Sequence, residues 1–278
     1  MNEASPIGVF DSGVGGLSVL RWIRKTMANE DLIYIADSLH APYGEKSQSF
    51  IEQRIVALTE FLVDEGAKAV VVACNTATVA AIAALREQFT LPIIGIEPGV
   101  KPALSKTKAG IVGVLATTKT VNSVSFRRLI HRFADGRQVE IQACPGLVEC
   151  VEQVALESSA TRQLVEGYVM ALLAKGADTI VLGCTHYAFL LPLIESIVGE
   201  TVEVIDTGEA VAREVKRRLT EVDLSNSDSH CGNEVFWTSN NIPQTQEAMS
   251  ALWGHEIVVK VMDADVKASH NEGSGILD

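Results

Sequence analysis

The sequence has little of what would tie it to a membrane, a nucleic acid or a metal. No stretch of its 278 residues approaches the roughly 18 uninterrupted apolar residues of a membrane helix, and no membrane partner is expected. Positive charge is scarce: 23 Lys and Arg face 35 Asp and Glu, a formal net charge of −12. A nucleic-acid surface shows as a basic patch, so no nucleic acid is expected. Any anionic ligand must be held by local groups, not by the field of the whole protein.

Cysteine is sparse as well. Cys74, Cys144, Cys150, Cys184 and Cys231 form an odd, scattered set, which does not read as a disulfide framework. There is no Cys-x-x-Cys and no His-Glu-x-x-His, and Cys144 to Cys150 is not a zinc-knuckle spacing. No metal is expected. Met1 to Pro6 show no basic stretch leading into an apolar one, so no export signal is expected and the cytoplasm is the expected location. The glycine-rich run Asp11-Ser12-Gly13-Val14-Gly15-Gly16 lacks both the dinucleotide spacing and the Gly-Lys-Ser/Thr ending of a phosphate loop. It reads as a tight turn presenting backbone N–H groups to an anion such as a carboxylate.

What is present is alternation. Short apolar runs at 7–10, 32–36, 69–73, 93–96, 111–115, 139–142, 180–182 and 202–205 predict strands. Several are almost wholly Val, Ile or Leu, as strands buried on both faces of a parallel sheet are. Helical patterns at 17–26, 47–65, 78–88, 123–133, 158–175 and 190–197 lie between them. This is the pattern of an α/β fold.

The chain also repeats itself. Gly66-Ala67-Lys68-Ala69-Val70-Val71-Val72-Ala73-Cys74 aligns with Gly176-Ala177-Asp178-Thr179-Ile180-Val181-Leu182-Gly183-Cys184. Gly8-Val9-Phe10-Asp11-Ser12 aligns with Gly113-Val114-Leu115-Ala116-Thr117, and Ile96-Glu97-Pro98-Gly99 with Ile205-Asp206-Thr207-Gly208. Pairs in one order at nearly constant offset predict two similar α/β halves. A ligand cleft between such halves lies beyond the carboxyl ends of the strands, where Cys74 and Cys184 stand. A helix N-terminus after each would favour thiolate. Two bases on opposite sides of one carbon perform inversion: one removes a proton and the other delivers one to the opposite face. Cys144, Cys150 and Cys231 lack this setting and read as ordinary thiols.

Phe10-Asp11-Ser12-Gly13-Val14-Gly15-Gly16, Pro42-Tyr43-Gly44, Cys74-Asn75-Thr76-Ala77 and Gly183-Cys184-Thr185-His186-Tyr187 together resemble the glutamate racemases of the aspartate/glutamate racemase superfamily. The likeness covers roughly residues 7–219 and fades towards the C-terminus. It implies a cofactor-independent interconversion of L- and D-glutamate for bacterial peptidoglycan, in a homodimer. It also implies a first domain of 1–98 plus 208–278 and a second of 99–207, with the active site between them. Catalytic roles fall on Cys74 and Cys184, with Asp11 supporting Cys74, and His186, backed by Glu152, supporting Cys184. Substrate contacts fall on Asp11, Ser12, Tyr43, Gly44, Asn75, Thr76, Thr185 and His186, with Thr117 and Thr120 beside them. Aspartate racemases of the same superfamily are the nearest alternative. Ala77 and Thr78, with His186, favour glutamate.

Overall fold

The computed structural model describes residues 2–229, 231–240 and 243–262. Its strands are β1 (Ile7–Asp11), β2 (Leu32–Ala36), β3 (Ala69–Val72), β4 (Ile93–Gly95), β5 (Ile111–Ala116), β6 (Gln138–Ala143), β7 (Thr179–Gly183), β8 (Glu203–Ile205), β9 (Glu234–Thr238) and β10 (Val259–Val261). They form two parallel sheets, ordered β10-β9-β2-β1-β3-β4 and β6-β5-β7-β8. In each sheet the half's first strand lies between its second and third, and its fourth follows the third. The repeat seen in the sequence is therefore a repeat of four strands in one spatial order. Among the described residues only the first sheet extends past its second strand, by β9 and β10.

β1, β2, β3 and β7 are buried at every position, as apolar strands covered on both faces are. The aligned glycines have one shared reason. A Cβ on Gly8 would sit 2.8 Å from Leu62 Cδ1, and one on Gly113 would sit 2.8 Å from Leu172 Cδ1. Each glycine lets a covering helix lie close on the central strand of its half.

Helix Leu17–Thr26 buries Leu17, Val19, Leu20 and Ile23, an apolar stripe at helical spacing. Helix Gly208–Glu221 packs along it with Val211, Ala212, Val215 and Leu219 inward. This brings the chain back from the second sheet to the first. Ser47 caps helix Gln48–Asp64 through the Phe50 amide, and Ser158 caps helix Ser159–Leu173 through the Thr161 amide. The two crossings between halves touch: a Cβ on Gly99 would lie 3.0 Å from both Ile205 Cγ2 and Thr207 Cγ2. Among the described residues no helix is long and apolar enough to cross a membrane. Of the tail after Val261, which the family resemblance does not reach, residues 263–278 lie outside the described residues.

Candidate active site

Cys74 stands one residue past β3 and caps helix Asn75–Gln88, its Sγ accepting the Ala77 N–H at 3.4 Å. The helix starts three residues before the expected 78, because the thiol fills the capping position. Cys184 follows β7, the equivalent strand, but a 3₁₀ turn, Thr185–Leu190, comes next. The α-helix begins only at Leu191–Val198, with Pro192 in its first turn, where proline is tolerated because no N–H is needed. Cys184 therefore has no side-chain cap bond to an amide. It has His186 instead, Nδ1 lying 3.7 Å from Sγ.

The partners come from across the chain. Asp11, fully buried at the end of β1, accepts the Ser12 amide at 2.7 Å, the Gly16 amide at 2.6 Å and the Thr185 hydroxyl at 3.2 Å. The Cys74 thiol donates to Ser12 Oγ at 3.7 Å. Glu152, at the end of helix Leu147–Glu152, bonds His186 Nε2 at 2.6 Å and accepts the Val14 amide at 2.9 Å. The glycine loop thus spends several amides on the protein's own carboxylates. Its glycines are required by close approach: a Cβ on Gly13 would lie 1.9 Å from Glu152 Oε1, and one on Gly15 would lie 2.2 Å from His186 Nδ1.

Three hydroxyls meet where the halves face each other. Thr76 Oγ1 lies 3.0 Å from Thr117 Oγ1 and 3.4 Å from Thr120 Oγ1. Asn75, buried beside them in sequence, donates to the Ile96 carbonyl at 3.4 Å and leaves its Oδ1 without a partner. Gly44 stands against Thr117, where a Cβ would meet Thr117 Cβ at 3.6 Å. A small cavity of about 80 Å³ opens there, lined by Pro42, Gly44, Thr117, Cys144 and Glu149 among others. Tyr43 is different. Its ring is buried and its hydroxyl donates to Asp37 Oδ2 at 2.6 Å, so its phenol serves the protein's interior.

The electrostatics divide the two thiols. Burial pushes Cys74 well above the ordinary thiol range, and the charge of Asp11 adds to this against the Ala77 amide. The Ala77 amide at the helix N-terminus does favour the thiolate at Cys74, as expected, but desolvation outweighs it. Burial also raises the Asp11 carboxyl. For His186, burial works against the imidazolium, but hydrogen bonds and charge from Cys184 and Glu152 outweigh it and lift the ring well above its usual range. The two shifts act in opposite senses: burial disfavours the Cys74 thiolate, while its partners favour the His186 imidazolium.

Sequence reasoning missed Asp37, Arg54 and Tyr34, whose hydroxyl donates to the Gly13 carbonyl at 2.7 Å. Their one signal was position, since Tyr34 and Asp37 lie in and directly after β2. Among the described residues no group of three or more His, Cys, Asp or Glu is arranged to hold a metal ion.

A sequence profile of the Asp/Glu/hydantoin racemase family matches residues 7–215. The chain belongs to that family. It is 53% identical over 263 residues to the glutamate racemase of Ectopseudomonas mendocina, covering 94% of this chain and all (100%) of that one. Solved structures agree with this. Glutamate racemase isoform RacE1 of Bacillus anthracis superposes with a TM-score of 0.86 at 34% identity, covering 94% of this chain and 98% of that one. The Escherichia coli glutamate racemase, solved with L-glutamate and the activator UDP-MurNAc-ala, gives 0.81 at 33% identity, covering 93% and 98%.

Proposed function

We propose that the chain is a glutamate racemase that works by two cysteine bases and needs no cofactor. The observation that carries this reading is the placement of Cys74 and Cys184 after equivalent strands of the two repeated halves. Near-symmetric bases suit a reaction whose forward and reverse directions are mirror images. The same reading divides the chain into domains of 1–98 plus 208–278 and 99–207. It assigns a cytoplasmic homodimer that supplies D-glutamate for bacterial peptidoglycan.

In the L-to-D direction the Cys184 thiolate takes the α-proton, and the C–H electron pair stays on carbon. The Cys74 thiol then delivers its proton to the opposite face. Cys184 ends as thiol and Cys74 as thiolate, and proton exchange with solvent resets the pair. In the D-to-L direction the roles exchange. The surroundings support this assignment: the His186 ring stands 3.7 Å from Cys184 Sγ with its pKa raised, while burial raises the Cys74 thiol. The carbanion needs electrostatic stabilisation, since a thiolate is a far weaker base than the carbanion it generates. Ser12, Asn75, Thr76, Thr117, Thr120 and Thr185, with the turn at Tyr43 and Gly44, are the groups proposed to hold the substrate. The Thr185 hydroxyl donates to Asp11 at 3.2 Å, so it would meet the substrate as an acceptor or through its amide.

The substrate is taken as glutamate rather than aspartate, on the strength of the relatives' activity and of Ala77, Thr78 and His186. The test is to dialyse the purified chain against a chelator, treat it with hydroxylamine, and follow optical rotation with L-glutamate and with L-aspartate. Loss of rotation with glutamate alone, without additions, is the expected result. Racemisation of aspartate instead, or activity restored only by pyridoxal phosphate or a metal, contradicts the reading.

A further inference from the structure

A second buried cluster lies at the end of β2, outside the catalytic network. Asp37 is fully buried and its carboxylate has three partners from three places in one loop-and-helix segment. Arg54, 2% exposed, bonds it twice, Nε to Oδ2 at 3.0 Å and Nη2 to Oδ1 at 2.7 Å. Tyr43 donates its hydroxyl at 2.6 Å, and His40 Nδ1 lies at 3.0 Å. Asp37 directly follows β2, Arg54 sits in helix Gln48–Asp64, and Tyr43 lies between them in the chain. One carboxylate thus ties the base of the segment, its apex and the following helix together.

The fold alone does not call for this charge. The Asp37 amide bonds the Asp11 carbonyl at 3.0 Å, and in the second half the Cys144 amide bonds the Ala116 carbonyl at the same 3.0 Å. Asp37 and Cys144 are therefore equivalent positions of the repeat. At Cys144 a buried thiol, pushed up to about 12 by burial, fills the place without any charge. A buried ion pair costs desolvation that a neutral side chain avoids. The first half carries that cost at the point where its segment reaches Gly44 and Thr117.

We propose that Asp37 and Arg54 are positioning residues: they fix the Tyr43–Gly44 turn against Thr117 and so set the affinity for substrate. This rests on the racemase reading above. Tyr43 acts through its buried phenol, as the tether by which the pair holds the turn. The turn then gives the cleft its backbone and the space left by Gly44.

The test is KM and kcat for glutamate in both directions, with the melting temperature, for wild type, Tyr43→Phe and Arg54→Lys. Tyr43→Phe keeps the ring and removes only the tether. Its KM is expected to rise about ten-fold, as for loss of a hydrogen bond to a charged group, with kcat changed by no more than about two-fold. Arg54→Lys keeps the charge and loses the fork, so its KM should rise less. A native KM in Tyr43→Phe overturns the proposal, even if the melting temperature falls, because the cluster is then only structural. If Arg54→Lys does not fold, Tyr43→Phe decides alone. Failure of the wild-type chain to racemise glutamate is a separate result; it removes the parent reading and this inference with it.

Discussion

Glu152 Oε1 lies 2.6 Å from His186 Nε2, while the other ring nitrogen lies 3.7 Å from Cys184. A carboxylate, an imidazole and a thiol therefore form one line, and the charge at its far end helps decide the proton on the ring. Glu152→Gln keeps an oxygen for the Val14 amide and removes that charge. His186 should then lose its proton at lower pH, because one of the interactions that raise it is gone. The alkaline fall of kcat/KM is expected to move to lower pH. Both directions must fall by one factor, since the two enantiomers have equal free energy. An unmoved alkaline limb would contradict the role of Glu152.

Gly15 is held to glycine by the His186 imidazole. In Gly15→Ala the new methyl would meet His186 Nδ1 at 2.2 Å, so the ring must leave its line between Glu152 and Cys184. A misplacement of about 1 Å costs on the order of a hundred-fold in rate. The variant should fold, with a circular dichroism spectrum like that of wild type, and lose about that factor in kcat. Near-native kcat in a folded Gly15→Ala would show that the imidazole position is unimportant.

The repeat was legible because each half reuses one pattern for one physical reason. Gly8 and Gly113 admit Leu62 and Leu172, and all-apolar strands mark the middle of each sheet. Helix Leu17–Thr26 lies where its periodicity placed it. β9 did carry a signal, the apolar run Val235-Phe236-Trp237, which was overlooked; β10, Val259–Val261, is a three-residue strand too short to show a pattern. Helix Gly208–Glu221 did carry a signal, its stripe of Val211, Ala212, Val215 and Leu219, which was overlooked. Glu152 has no local mark at all: on its own helix it looks like a solvated carboxylate, and only contact with Val14 and His186 distinguishes it. At Cys74 only half of the balance was legible for a related reason: capping is local and visible, whereas desolvation depends on the whole fold.

Asp37 makes a prediction for acid stability. Burial alone would raise its carboxyl, but His40 and Arg54 outweigh burial and hold it at about 2, against an ordinary value of 3.8. A carboxyl lowered on folding stabilises the fold above its unfolded value, and that contribution is lost as pH falls through the folded one. The window therefore runs from about pH 4 down to about pH 2, and the contribution is worth about 2 kcal/mol. Urea unfolding across this window should show wild type losing that much more stability than Asp37→Asn. Parallel losses in the two proteins would mean the pair does not shift Asp37.

The central claim is that Cys74 and Cys184 serve opposite faces of one carbon. The most direct measurement is α-proton exchange with deuterated solvent, made for Cys74→Ser and Cys184→Ser with each enantiomer of glutamate. A serine hydroxyl is a far weaker base than a thiolate, so each variant should fail to racemise and retain exchange at the intact face only. Cys184→Ser is expected to exchange D-glutamate and Cys74→Ser to exchange L-glutamate. Two variants preferring the same enantiomer, or either one racemising at the wild-type rate, would contradict the two-base account.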